Sequence, residues 1–280
     1  MFTGLSAFPL TPIRDEGVDG AALGRIVDRL VSSGVDSIGA LGSTGAAPYL
    51  SRDERAHAAR TVIDHAEGIP VIVGIGALRT RDVLAGAEDA QDAGAAALLL
   101  APVSYQPLLE DEVVELFRTV LAAVDVPVVI YDNPRTTRFD FTPQLYGRIA
   151  ELGGVGAVKV PGVPQDLPLI RSLLPAGTAV GVSGDGAGAA GLAAGCDLWF
   201  SSIAGILPEP IMEIVRADDP VATSARFAPL WELLALYGGL RVSAVAARLL
   251  GLVDRPCLPA PVREPDDARI EVTLRGLGLL

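Results

Sequence analysis

Lysine is scarce in this sequence: Lys159 is the only one among 280 residues, and the other 21 basic side chains are arginines. It lies in the apolar segment 155–162. A lysine amine can lose its proton and form a Schiff base with a carbonyl carbon, whereas a guanidinium stays protonated and is not nucleophilic. A lysine at a strand end can also extend to solvent or pair with a carboxylate. The other motifs of the sequence must decide whether Lys159 forms a Schiff base or is an ordinary exposed or ion-paired lysine.

Cysteine and histidine are almost as scarce. The two cysteines, Cys196 and Cys257, lack the spacing of a metal or redox motif and are too few for the disulfide framework of a secreted protein. We therefore expect a reducing, cytoplasmic environment. His57 and His65 fall on one predicted helix, away from the predicted site, and we expect both to be structural or solvent-facing. No cluster of histidine, cysteine and carboxylate residues has the spacing of a metal site.

Basic clusters and long apolar runs are absent from the sequence. The formal net charge is -12, which argues against nucleic acid or an anionic membrane as a partner. Segment 1–12 lacks a basic region and contains two prolines, so we expect no signal peptide. No run approaches the roughly 18 apolar residues of a membrane span.

The sequence does contain a regular alternation of short β-branched or leucine-rich runs with longer amphipathic segments. Eight runs predict strands, at 5–9, 36–41, 71–75, 96–101, 127–131, 155–160, 178–183 and 198–201. Helical patterns separate them, such as 20–33 and 53–66, the second of which opens with a capping box at Ser51 and Glu54. Eight βα units predict an α/β fold, a (β/α)8 TIM barrel.

A doubly wound sheet is the alternative fold, but it requires a glycine-rich phosphate motif after the first strand, which this chain lacks. Four further helical patterns follow the eighth unit, at 208–217, 221–237, 242–250 and 265–277. We therefore expect residues 1–207 to hold the barrel strands and most of its helices. Residues 208–280 would add the last barrel helix and a C-terminal helical extension to the same structural unit, capping the barrel or forming a subunit contact.

Catalytic groups of such barrels lie at the C-terminal ends of the strands, where three motifs accompany the lysine. The segment Gly42-Ser43-Thr44-Gly45 can bind a carboxylate through hydroxyls and backbone N–H groups, or can be an ordinary capped turn. Tyr131 can move protons to and from a substrate oxygen, or can be a packed ring with a solvated hydroxyl. Gly184 allows a ligand to approach the backbone, and we expect Asp185 only to cap the next helix.

Four motifs together resemble those of the dihydrodipicolinate synthase and N-acetylneuraminate lyase family: Gly42-Ser43-Thr44-Gly45, Tyr131-Asp132-Asn133-Pro134, Lys159 and Ser183-Gly184-Asp185. The resemblance implies a (β/α)8 barrel, usually a homotetramer, in which Lys159 forms a Schiff base with pyruvate or another 2-oxo acid. Ser43 and Thr44 would hold the carboxylate of that acid, beside Gly42, and Tyr131 would move protons. The resemblance implies no metal and no organic cofactor.

The sequence departs from this family where a second substrate would bind. Ala46 replaces the glutamate that usually follows the hydroxyl motif. The synthase's tyrosine pair, part of a proton relay between subunits, is replaced by a segment whose one tyrosine, Tyr105, is displaced by a position. The position of the arginine that binds the carboxylate of the aldehyde in the synthase is occupied here by Thr136. Arg135 and Arg138 flank this position and are candidate substrate-binding residues.

The sequence thus predicts a class I lyase, aldolase or synthase that forms a lysine Schiff base with pyruvate or a related 2-oxo acid. One alternative is a dehydratase or hydratase-aldolase that uses the same imine, and a second is a non-catalytic barrel that binds a small carboxylate. We expect a small-molecule 2-oxo acid as substrate and a homo-oligomer, either a dimer or a tetramer.

Overall fold

All eight predicted strands are present in the computed structural model, which describes residues 2–280. They are β1 (Gly4–Ala7), β2 (Ser37–Ala40), β3 (Val71–Gly74), β4 (Ala97–Leu100), β5 (Val128–Tyr131), β6 (Val155–Pro161), β7 (Ala179–Ser183) and β8 (Leu198–Ser201). They pair in parallel in chain order, and β8 closes onto β1. The fold is therefore a (β/α)8 barrel, as predicted.

Helices connect the strands on the outside of the barrel. They are α1 (Gly20–Ser33), α2 (Arg52–His65), α3 (Thr80–Asp92), α4 (Glu110–Leu121), α5 (Pro134–Thr137), α6 (Pro143–Ala150), α7 (Leu167–Leu173), α8 (Gly188–Ala193) and α9 (Pro208–Arg216). Local sequence sets their ends: Asp19 accepts a hydrogen bond from Ala22 N at the start of α1, and Gly34 ends it in the left-handed conformation. The capping box predicted at Ser51 and Glu54 opens α2.

The strands bury both faces, because a parallel barrel packs helices outside and fills its own interior. The outer face contributes to a large hydrophobic core that extends from β1 to the C-terminal helices. The inner face carries a separate cluster that includes Phe8, Ile72, Leu99, Val129 and Phe200. The interior is thus packed with side chains, and an open site can form only at the ends of the strands.

The C-terminal extension consists of α10 (Pro220–Ala225), α11 (Ala228–Tyr237), α12 (Gly239–Leu249) and α13 (Ala268–Gly276). The continuous helix predicted over 221–237 is wrong, because the chain breaks between α10 and α11. Pro229 explains the break: its ring clashes with the carbonyl four residues earlier, and it lacks an N–H group. No single helix within residues 2–280 is long and apolar enough to cross a membrane, and α11 with α12 reaches that length only as a pair bent by 119°.

A short antiparallel pairing of Ile13–Arg14 with Gly17–Val18 was not predicted. Its strands are too short to show any periodicity in the sequence. Ile13 N also donates a hydrogen bond to Cys257 O, which ties this hairpin to the segment between α12 and α13.

Candidate active site

Lys159 lies on β6, and its side chain is turned into the barrel with only 5% of its surface exposed. Its Nζ lies 3.9 Å from the centroid of the Phe8 ring and 4.2 Å from that of the Tyr131 ring. Burial lowers the pKa of this amine to about 7, against the opposing charge of Asp185. Lys159 therefore does not extend to solvent, and a large share of it is neutral near pH 7.

Glycines on β2, in the turn that follows it and on β7 make room for the aromatic rings around the amine. A Cβ on Gly39 would overlap the ring of Phe8, and one on Gly42 would lie 2.7 Å from its Cδ1. A Cβ on Gly181 would overlap the ring of Phe200 in the same way. Gly42, predicted as part of an anion-binding turn, is therefore also needed for the packing of the ring beneath the lysine.

Tyr131 ends β5 and pairs with Lys159 in the register of β5 and β6. Its ring is buried, and its hydroxyl lies 3.0 Å from Ser43 Oγ and accepts a hydrogen bond from Asn133 Nδ2 at 2.8 Å. Burial raises the pKa of Tyr131, and these two hydrogen bonds oppose that rise. The predicted hydroxyl motif and the predicted phenol thus meet beside the only lysine. The hydroxyl of Tyr131 thus has two side-chain partners.

The turn that carries Ser43 and Thr44 is strained at both ends. Leu41 and Ala46 have φ of 56° and 53°, the left-handed region that residues with a Cβ rarely adopt. Thr44 is buried, yet its hydroxyl makes no hydrogen bond to any residue from 2 to 280. Nor, within that range, do the backbone N–H groups of residues 43 and 44 donate to a backbone acceptor. The turn therefore presents unused donors, as a carboxylate-binding turn requires.

Asp185 does not cap α8, which begins at Gly188 without a side-chain cap. Its buried carboxylate turns instead towards the end of β8 and accepts hydrogen bonds from Ser201 Oγ, Ser202 Oγ and Ile203 N. The predicted capping role is therefore wrong, because two serines and a backbone N–H offer better partners than the helix start. Gly184, just before it, has φ of 88° and open space where a Cβ would be.

The two candidate arginines lie away from this cluster. Arg135 is exposed and donates to Ala235 O at 3.4 Å, and Arg138 is exposed at the end of α5. Neither lines the cavity of about 60 Å³ that is bounded by Ser43, Tyr131 and Thr136. A larger cavity of about 530 Å³ lies outside the barrel between α2 and α3, and its lining does not include Lys159 or Tyr131.

The start of α12 reaches the same end of the barrel. A Cβ on Gly239 would overlap Ser202 Oγ and lie 3.7 Å from Thr44 Oγ1. The C-terminal extension therefore packs against the turn that carries Ser43 and Thr44. No group of three or more histidine, cysteine, aspartate or glutamate residues within 2–280 is arranged to hold a metal ion.

One site residue was missed by the sequence analysis. Asn133 follows Tyr131 by two positions and is the only asparagine in the chain, a signal of the same kind as the single lysine. Its contact with the phenol could not be inferred from spacing, since neighbouring side chains at a strand end can point in several directions.

The fold and site define a class of (β/α)8 barrel with a buried lysine on the sixth strand, facing a phenol from the fifth and hydroxyls that follow the second. Sequence comparison identifies the family. The sequence model of the Dihydrodipicolinate synthetase family matches residues 1–269, and the chain belongs to that family. The resemblance predicted from the four motifs is confirmed.

Individual relatives agree with this assignment. The 4-hydroxy-tetrahydrodipicolinate synthase of Acidiphilium cryptum (strain JF-5) is 30% identical over 291 residues, covering 100% of both chains. A dihydrodipicolinate synthase structure from Agrobacterium tumefaciens str. C58 is 40% identical with a TM-score of 0.94, covering 99% of this chain and 98% of that one. The chloride-inhibited dihydrodipicolinate synthase from Acinetobacter baumannii, solved in complex with pyruvate, is 25% identical with a TM-score of 0.90 over 100% of both chains.

Proposed function

We propose that this protein is a class I lyase, aldolase or synthase that forms a Schiff base between Lys159 and pyruvate or a related 2-oxo acid. The observation that carries the proposal is the burial of Lys159 Nζ against two aromatic rings, which lowers the pKa of the amine to about 7. The pyruvate complex of the Acinetobacter baumannii relative supports the choice of 2-oxo acid.

In the proposed reaction the neutral Lys159 amine attacks C2 of the 2-oxo acid, and a proton passes from nitrogen to oxygen to give a carbinolamine. Tyr131 then donates its proton to the carbinolamine hydroxyl, which leaves as water while an iminium forms. Transfer of a C3 proton from the iminium to the Tyr131 phenolate gives the enamine that adds to an aldehyde, and the reverse sequence cleaves the same bond. Ser43 and Thr44 hold the carboxylate through their hydroxyls and free N–H groups.

Borohydride trapping tests this proposal sharply, because Lys159 is the only side-chain amine in the protein. Incubation with pyruvate and reduction should add the mass of pyruvate less one oxygen atom, and peptide mapping should locate it at Lys159. Lys159→Met is the control for reaction at the chain's terminal amine. A wild-type chain that stays unmodified would favour the non-catalytic barrel. Product analysis with candidate 2-oxo acids then separates carbon–carbon cleavage from loss of water.

We also propose that the protein is a homo-oligomer that buries the loops after β2, β3 and β4. Large apolar side chains are exposed on these loops: Tyr49, Leu78 at 67%, Tyr105 at 89% and Leu109 at 70%. Because the three strands are neighbours, their loops lie side by side, and such a patch is typical of an interface. Sedimentation should show a larger mass for the wild type than for Leu78→Asp, with Val272→Asp on α13 as the exposed control. A monomeric wild type would refute the proposal.

A further inference from the structure

The only asparagine and the only lysine of the chain meet at the same tyrosine. Asn133 Nδ2 donates to Tyr131 Oη at 2.8 Å, while Lys159 Nζ lies 4.2 Å from the centroid of the Tyr131 ring. The chain uses four glutamines for all its other side-chain amides. Asparagine, whose side chain is one methylene shorter than that of glutamine, therefore occurs at one position only. At that position it contacts Tyr131, the proposed proton-transfer group.

The local backbone holds Asn133 in place. Pro134 disfavours the helical conformation for the residue before it, and Asn133 has φ of -146° and ψ of 70°. Its carbonyl accepts hydrogen bonds from Thr136 N, Thr137 N and Thr137 Oγ1, each at 3.0 Å. The short helix α5 thus anchors the main chain of Asn133, and only the side chain is left to reach the phenol.

In the contact between Asn133 and Tyr131, the amide N–H group acts only as a hydrogen-bond donor. An amide N–H donates a hydrogen bond but does not give up its proton in ordinary acid–base chemistry. With Asn133 donating to the phenol oxygen, the phenol's own proton is directed elsewhere, and Ser43 Oγ is the other group within reach at 3.0 Å. A donor also stabilises a phenolate more than a neutral phenol, since hydrogen bonds to charged acceptors are the stronger ones.

We infer that Asn133 is a positioning residue for proton transfer by Tyr131: it aims the phenol's proton towards Ser43 and the substrate, and it stabilises the phenolate left after transfer. The inference rests on the proposed function, because it presupposes that Tyr131 gives a proton to the carbinolamine. In that step the phenol O–H bond breaks and its electron pair stays on the phenol oxygen, while an O–H bond of the departing water forms. The C–O bond of the carbinolamine breaks, and the lone pair of Lys159 Nζ forms the C=N bond of the iminium. The positive charge of the iminium balances the phenolate.

A consequence is that the partners of the phenol come from one chain. Asn133 and Ser43 occupy two hydrogen-bonding positions on the Tyr131 oxygen. A tyrosine supplied by another copy, for which Tyr105 is the candidate, is then not needed to complete the arrangement. Tyr105→Phe should accordingly leave proton transfer unchanged.

Exchange of the methyl protons of pyruvate in D₂O, followed by proton NMR, tests the inference without a second substrate. Asn133→Leu removes the donor at nearly constant volume and should slow exchange by about 10- to 100-fold. Gln144→Leu, which removes an exposed amide on α6, and Tyr105→Phe should both exchange at the wild-type rate. Thermal unfolding checks that each variant is folded.

Asn133→Asp gives a readout that a purely structural role would not produce. At low pH the introduced carboxyl group is protonated and can donate to the phenol oxygen. As pH rises it ionises, accepts a hydrogen bond from the phenol instead of donating one, and repels the phenolate. The ratio of its exchange rate to that of the wild type should therefore fall as pH rises through the titration of the new group, and this readout serves even where Asn133→Leu fails to fold.

These experiments distinguish failure of the proposed function from failure of the inference about Asn133. A wild type that neither exchanges pyruvate protons nor is trapped by borohydride would reject the Schiff-base proposal and the inference with it. A wild type that does both, while Asn133→Leu exchanges at the wild-type rate or the Asn133→Asp ratio is independent of pH, would overturn the inference alone.

Discussion

Tyr146 Oη donates a hydrogen bond to Asp132 Oδ2 at 2.5 Å. Asp132 is the residue after Tyr131, and its own N–H donates to Lys159 O at 3.1 Å. Through its side chain and its backbone, Asp132 therefore joins α6 to the ends of the two strands that carry the lysine and the phenol. Its second oxygen is buried and has no hydrogen-bond partner within residues 2–280.

We predict that Asp132→Asn stabilises the protein above pH 6. Burial raises the pKa of Asp132 to about 6, although the hydrogen bond from Tyr146 opposes the rise. Between about pH 4 and 6 the native state thus holds a proton that the unfolded chain has lost, so stability falls as pH rises through this range. The amide keeps an acceptor for Tyr146 without the charge, and the gain at pH 8 should reach at most about 3 kcal/mol.

Denaturant unfolding at pH 4 and pH 8 measures this effect. Asp92→Asn, which removes an exposed carboxylate on α3, is the control and should change stability little at either pH. Equal changes at both pH values for Asp132→Asn would show that the pKa of Asp132 is not raised in the native state.

The pH dependence of imine formation should report the titration of Lys159. Because burial lowers the pKa of this amine to about 7, the rate of cyanoborohydride trapping with pyruvate should rise up to pH 7 and level off above it. The neutral amine is the nucleophile, so protonation below pH 7 removes the reactive form. An inflection near pH 10, about that of an exposed lysine, would contradict the described environment of Lys159.

Tyr131→Phe should slow imine formation and turnover by about 10² to 10⁴, as expected for the loss of a general acid–base group. Its hydroxyl is the atom that Ser43 and Asn133 contact, so the aromatic ring beside Lys159 is preserved while the proton is lost. Tyr49→Phe, on the exposed loop after β2, is the matched control. A rate within a factor of about three of wild type would move proton transfer to another group.

Aspartate semialdehyde should be a poor second substrate. Thr136 lines the small cavity beside Tyr131, while Arg135 points to the end of α11 and Arg138 is exposed. A carboxylate on the aldehyde therefore lacks the guanidinium fork that recognises such groups. A coupled assay with pyruvate should give kcat/KM below about 10⁴ M⁻¹s⁻¹, and a higher value would support a true synthase. Thr136→Arg should raise this value, with Thr223→Arg on α10 as the control.

The sequence was most informative about features that a single side chain or a single run of residues determines. The ends of each predicted strand lie within two residues of the ends of the observed strand. β-Branched and leucine-rich runs between turns are compatible with few structures other than a strand. Lys159 was identified from scarcity alone. Asp185 was misassigned to a helix cap because its orientation depends on serines at the end of another strand. The room that Gly39 and Gly181 leave for aromatic rings likewise depends on contacts between distant segments.

The most direct test of the whole account is a crystal structure of the wild-type protein with pyruvate bound. We predict a covalent bond between Lys159 Nζ and C2 of the ligand, with its carboxylate within hydrogen-bonding distance of the hydroxyls and N–H groups of Ser43 and Thr44. Tyr131 Oη should lie on the side from which the carbinolamine oxygen departs. Pyruvate bound without a bond to Lys159, or with its carboxylate turned away from residues 43 and 44, would contradict the account.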